Sequence, residues 1–221
     1  MKRIDLLRFL ADEIVARKVE DSPLKVGIDG RCAAGKTMLA DELGQVLTGS
    51  GFEVLRPSVD GFHHPRERRY RQGEYSAKGY YEDAFDFEAV RCSLLEPLSE
   101  HVFPVMCREV TFDYRADLPV NAPPVSVGAN CILLFEGLFL FRREIDAYWD
   151  YRILIDVDPE TSLARALVRD TVDPPDVIRR KYAERYEPAW QMYLGDENPE
   201  AEADVVIDNR QADNPQILKG A

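Results

Sequence analysis

Five short runs of apolar and β-branched residues punctuate the chain, at about 24–29, 52–59, 131–135, 151–157 and 203–208. Runs such as "CILLF", "YRILIDV" and "ADVVID" are apolar on successive positions rather than on alternate ones, the pattern of strands buried on both faces of a parallel sheet. Between them lie stretches with helical periodicity, at about 36–48, 86–100, 158–170 and 174–194. A first amphipathic helix precedes the first strand, with Leu7, Leu10, Ala11, Ile14 and Val15 spaced for one face. "REVTFDY" (108–114) alternates like an exposed strand, and "APPVSVGAN" (122–130) reads as a turn-rich connection. Strands alternating with helices predict an α/β fold, a mostly parallel central sheet with helices on both faces. No repeat, low-complexity tract or linker divides the chain, so residues 1–221 are expected to form one domain.

Composition narrows the class. The chain has 221 residues, 45% hydrophobic and 31% charged, which suits a soluble globular protein. A net charge of −12 argues against coating nucleic acid or an anionic membrane, since both reward an excess of Lys and Arg. The N-terminal stretch is interrupted by acids and does not read as a secretory signal. The longest apolar run, "CILLFEGLFLF", is too short to span a bilayer and carries Glu136. Cys32, Cys92, Cys107 and Cys131 form no CxxC pair or zinc spacing, as expected for reduced thiols in a cytoplasmic protein. Association into homo-oligomers is left open.

The chemistry is concentrated where the first strand ends. "GRCAAGKT", residues 30–37, satisfies G-x-x-x-x-G-K-[ST]. Gly30 and Gly35 let the backbone of Arg31, Cys32, Ala33 and Ala34 wrap with its N–H groups turned inward on phosphate oxygens, and the following helix adds its positive N-terminal end. Lys36 would bridge the terminal phosphates of a nucleotide such as ATP, and the Thr37 hydroxyl would ligate Mg²⁺. In an open α/β sheet the ligand sits beyond the carboxyl ends of the strands. Asp60 and Glu136 fall there, one after "RPSV" and the other after "CILLF". One such acid can hold Mg²⁺ and another can accept a proton from an attacking hydroxyl.

The segment after Asp60, about 60–85, is too long and too aromatic for an idle connection. From Gly61 to Tyr80 it has five basic residues, Arg66, Arg68, Arg69, Arg71 and Lys78, against two acidic ones, suited to drawing in an anionic substrate. His63 and His64 are adjacent, so their side chains diverge and a shared metal is not expected.

Together "GIDGRCAAGKT", "VDGFHHP", "YYEDAFDFEAV", "VTFDYRAD", "LLFEGLFLF", "DYRILIDVDPETSLARALVRD", "YEPAW" and "ADVVIDN" resemble the uridine kinase, phosphoribulokinase and pantothenate kinase group of P-loop kinases, over residues 24–208. The resemblance is nearest to bacterial uridine kinase-like proteins. It implies a three-layer P-loop fold with a helical lid at about 158–195, and transfer of the ATP γ-phosphoryl to a small-molecule hydroxyl. It further implies catalysis by Asp60, Lys36 and Arg169, with Thr37 and Glu136 on the Mg²⁺ side. Arg165 and Arg169, four apart on one helical face, match lid arginines that embrace the ATP phosphates. Substrate-side positions are Asp60, His63, Tyr80, Phe112 and Asp117. Here the chain departs from the pattern. Uridine–cytidine kinases place a Tyr and a His where Phe112 and Asp117 stand, and Tyr80 occupies the place of a ribose-binding acid. A further lid arginine is replaced by "TVDPPD", near which Arg179 or Arg180 could reach in. Uridine or a related nucleoside is the first acceptor implied, with pantothenate or a sugar as alternatives. A P-loop ATPase or nucleotide-gated regulator is the competing class.

Overall fold

The computed structural model describes residues 1–220. Ten strands are present among them: β1 Leu24–Gly30, β2 Glu53–Leu55, β3 Val105–Cys107, β4 Phe112–Asp113, β5 Leu118–Pro119, β6 Val125–Val127, β7 Cys131–Gly137, β8 Tyr151–Asp156, β9 Val205–Asp208 and β10 Gln216–Lys219. Six of them form the central sheet in the order β10-β9-β8-β1-β7-β2. All its pairings are parallel except β9 with β10, so the expected mostly parallel sheet is present, with an antiparallel edge. That last strand carries no apolar run and is mostly exposed, which is why the pattern did not predict it.

The helices are α1 Arg3–Arg17, α2 Lys36–Gly49, α3 Arg66–Arg69, α4 Ala77–Asp83, α5 Phe87–Val90, α6 Pro159–Arg169, α7 Pro175–Lys181, α8 Glu187–Glu197 and α9 Pro199–Glu202. In β7 every residue is buried, and side chains alternate between the two faces. Ile132 and Leu134 join Leu6, Leu10, Leu39 and Leu43 beneath α1 and α2. Leu133 and Phe135 join Phe62, Phe139, Trp190 and Tyr193 beneath α4 and α8. These are the two helical layers of a three-layer α/β fold.

Several expectations are corrected. The inward face of α1 uses Leu6, while Val15 is 39% exposed, because the helix rotates its stripe by less than one residue's arc. The second strand stops at Leu55 instead of running to 59, since Pro57 lacks the N–H that would continue a ladder, and a 3₁₀ turn follows at Val59–Phe62. "REVTFDY" contributes only two residues to a strand, and "APPVSVGAN" contains β6, which pairs with β3. The helix read at 86–100 is broken into α5, a π turn and a 3₁₀ turn that starts at Pro97. The segment 60–85 is folded, with α3 and α4 on it. Ser76 caps α4 through the Gly79 N–H, and Asp86 caps α5 through the Ala89 N–H. Among the described residues no helix is long and apolar enough to cross a membrane.

Candidate active site

β1 delivers the phosphate loop to the carboxyl edge of the sheet. Gly35 has φ of +100°, and a Cβ there would stand 2.7 Å from Asn209 Nδ2, so this turn needs glycine. The Lys36 ammonium lies buried in the loop, donating to the carbonyls of Gly30 (2.7 Å) and Arg31 (2.9 Å). Two of its three N–H donors are used this way, which fixes the charge inside the loop. The Thr37 hydroxyl donates to Glu136 at 3.2 Å. Glu136 is aligned with Ile28 across the sheet and bridges to Ser58, two residues before Asp60. Gly137 allows this approach, because a Cβ there would meet Val59 at 2.4 Å.

A cleft of about 970 Å³ runs over this edge. Cys32, Ala33, Gly35, Lys36, Thr37, Asp60, His63, Tyr80, Glu136, Arg165 and Arg169 all line it, so most of the expected site residues converge. Asp60 is open to the cleft yet deep among protein atoms. That enclosure raises its pKa, against the pull of Lys36, Arg169 and Arg115. His63 Nδ1 lies 3.2 Å from the backbone carbonyl of Asp60, so in the neutral ring that nitrogen donates and Nε2 is left as an acceptor. Burial, opposed by that hydrogen bond and helped by Arg69 and Arg185, lowers its pKa to about 4. His64 points away and meets Asp86 at 3.4 Å.

Other expected residues do something different. Arg31 turns its side chain out of the loop to Glu187 on α8, at 2.7 Å. Cys32 approaches the Tyr80 hydroxyl at 3.9 Å, and its carbonyl accepts from Ser162. Arg165 is committed to the loop itself, reaching Ala34 O at 3.3 Å and Asn209 O at 2.6 Å. Arg169 pairs with Asp170. Phe112 and Asp117 do not line the cleft. Asp117 accepts from the Arg66 N–H and from Arg69, and Phe112 is buried, so Tyr114 and Arg115 of the same turn face the substrate side. Of the five basic residues on the 61–80 segment only Arg69 lines the cleft. Arg71 is held by Asp83, while Arg180 is held by Glu184 and stacked on Tyr75. Neither Arg179 nor Arg180 lines the cleft; Lys181, paired with Asp173, does.

Sequence reading missed the buried supports. Asp29 accepts from Gly30 N, Leu140 N and the Tyr193 hydroxyl, which ties the loop to the turn after β7 and to α8. Its burial raises the carboxyl pKa in spite of these bonds. Asn209 donates to Ala34 O at 2.7 Å from the end of β9. An acid inside the apolar run "VGIDG" was the available signal for the first. Nothing local marks the second.

The donor set suits Mg²⁺ at an NTP site: one hydroxyl and one carboxylate converge, and such sites take their remaining ligands from phosphate and water. Among the described residues no group of three or more His, Cys, Asp or Glu forms an all-protein metal cage.

Residues 25–211 match the Phosphoribulokinase / Uridine kinase family. The chain belongs to this family. It is 27% identical over 198 residues to uridine-cytidine kinase B of Dictyostelium discoideum, covering 87% of this chain and 76% of that protein. It is 24% identical over 199 residues to a uridine kinase of Deinococcus deserti, covering 88% and 92%. A possible uridine kinase from Bacillus stearothermophilus superimposes with a TM-score of 0.69 at 27% identity, covering 91% of this chain and 97% of that one. The protein is thus a uridine kinase-like P-loop phosphotransferase with a hydroxyl acceptor, and ATP is the donor the family implies.

Proposed function

We propose that the protein transfers the γ-phosphoryl of ATP to an alcohol hydroxyl of a small molecule held between Asp60 and His63. The loop from Gly30 to Thr37 and Lys36 bind the donor phosphates. Thr37 and Glu136 hold Mg²⁺, which when bound neutralises charge on the phosphates. Arg165 fixes the loop, and Arg169 leans over the phosphates from α6. Asp60 accepts a hydrogen bond from the incoming hydroxyl and takes its proton, a role its raised pKa serves. The neutral Nε2 of His63 accepts from a second hydroxyl of the acceptor. The observation that carries this reading is the meeting of Lys36, the Thr37–Glu136 pair and Asp60 along one cleft. A ribose-like diol, as in the nucleosides named for the relatives, is the hydroxyl donor to test first. A coupled assay for ADP release checks the reading. ADP should appear with Mg·ATP plus an acceptor and be negligible without one. Equal release with and without every acceptor would make the protein an ATPase.

A further inference from the structure

The acceptor end of the cleft is more basic than a neutral hydroxyl compound requires. Arg69, Arg115 and Arg185 all line it beside Asp60, and of the three only Arg69 has a carboxylate partner among the described residues, Asp117, at 3.0 Å. Arg185, in the turn between α7 and α8, is only 4% exposed. Its guanidinium donates from one terminal nitrogen to the backbone carbonyl of Glu74 at 2.6 Å, and it has no carboxylate partner among the described residues. It lies over the rings of Tyr70 (4.9 Å) and Tyr80 (4.8 Å). Arg69, 7% exposed, brackets the same Tyr70 ring at 5.4 Å. Its pairing with Asp117 leaves Nε without an acceptor. The chamber between these cations is aromatic, with His63 stacked on Tyr114 at 4.6 Å. A buried guanidinium facing a cleft with no counter-charge is costly once water leaves, and cation–π contacts offset only part of that cost. The planar fork of Arg is matched by a carboxylate or a phosphate, and such bonds are the strong ones.

We infer that the acceptor carries an anionic group, a carboxylate or a phosphate, bound by Arg185 with Arg69 and Arg115, in addition to the hydroxyl it offers to Asp60. This rests on the kinase reading above and narrows its substrate class. Neutral uridine has no negative charge to place against Arg185, and the two positions that would read its base, Phe112 and Asp117, lie outside the cleft.

The test uses matched acceptors in the ADP-release assay with the full chain: glycerate against glycerol, pantothenate against panthenol, ribose 5-phosphate against ribose, and orotidine against uridine. Hydrogen bonds to a charged group are worth about 10- to 100-fold, so the charged member of at least one pair should exceed its neutral partner in kcat/KM by roughly that factor and should also exceed uridine. The carboxylate and phosphate pairs distinguish the two sources of charge. In Arg185→Gln the charged-over-neutral ratio should collapse by about tenfold or more through acceptor KM, with Mg·ATP affinity within about twofold of wild type. Uridine or another neutral compound as the best acceptor would overturn the inference. So would an Arg185→Gln protein that loses Mg·ATP affinity, because the arginine would then serve the donor. Silence across the whole panel with Mg·ATP still bound would instead contradict the kinase reading itself.

Discussion

Lys36 shows how much one residue's placement decides. Its carbonyl partners hold a positive charge inside the loop before any phosphate arrives, so little reorganisation is needed on binding. Lys36→Ala should keep the fold, because the ammonium's hydrogen bonds stay within the loop, and should reduce turnover by about 10²- to 10³-fold. Circular dichroism and steady-state rates check both halves. His63 makes a separate prediction. Its pKa is depressed from 6.5 to about 4, so the native state resists a proton that the unfolded chain accepts. The stability it contributes is present above pH 6.5 and is lost as pH falls towards 4. Urea unfolding of His63→Gln should therefore show a shallower loss of stability across that window than the wild type, by up to one proton's worth of slope. Parallel curves would mean His63 titrates normally.

At the scale of elements, the segment 158–195, expected from the family resemblance to act as a lid, divides into two parts. Asp158 caps α6 through Thr161, and α6 packs on α7 around Ala166, Ile178 and Tyr182, a small core apart from the main ones. α8 belongs elsewhere. Trp190 and Tyr193 lie in the main core, the Tyr193 hydroxyl binds Asp29 at 2.5 Å, and Glu187 holds Arg31. Moving α8 would strip a buried carboxylate of a donor, so closure is expected to leave α8 in place and to pivot residues 159–181 about the Ser162 and Arg165 bonds to the loop. On binding a non-hydrolysable ATP analogue, hydrogen exchange should slow in α6 and α7 and stay unchanged in α8. Equal slowing in all three helices would return α8 to the moving part. The periodicity of the sequence showed these helices but not this division, because amphipathic spacing tells which face is covered and not what covers it. The same limit explains Arg115 and Arg185: a lone arginine in a turn or a helix carries no mark of the cleft it will face. Asp117, by contrast, is expected in the site only from its position relative to a motif, and a left-handed turn at φ +57° carries it to α3 instead.

For the whole molecule, the order β8-β1-β7-β2 brings three loops that are far apart in sequence to one edge: residues 30–37 after β1, 56–60 after β2, and 136–138 at the end of β7. That convergence was legible beforehand, since strand-end position and phosphate-loop chemistry together fix where a ligand must sit. The far end of the cleft was not. Arg3 and Asp213, which line it, lie outside the family-matched residues 25–211, and Arg3 is positioned by Glu42 at 2.7 Å. Asp60 is the group proposed to separate a kinase from an ATPase on this scaffold. Asp60→Asn keeps the shape and cannot take the proton. The decisive measurement is acceptor-dependent turnover together with Mg·ATP affinity on this one variant. Turnover should fall by about 10²- to 10⁴-fold with the affinity hardly changed. Weakened Mg·ATP binding rescued by added Mg²⁺ would move Asp60 to the metal, and a variant unchanged in both quantities would mean that the base lies elsewhere.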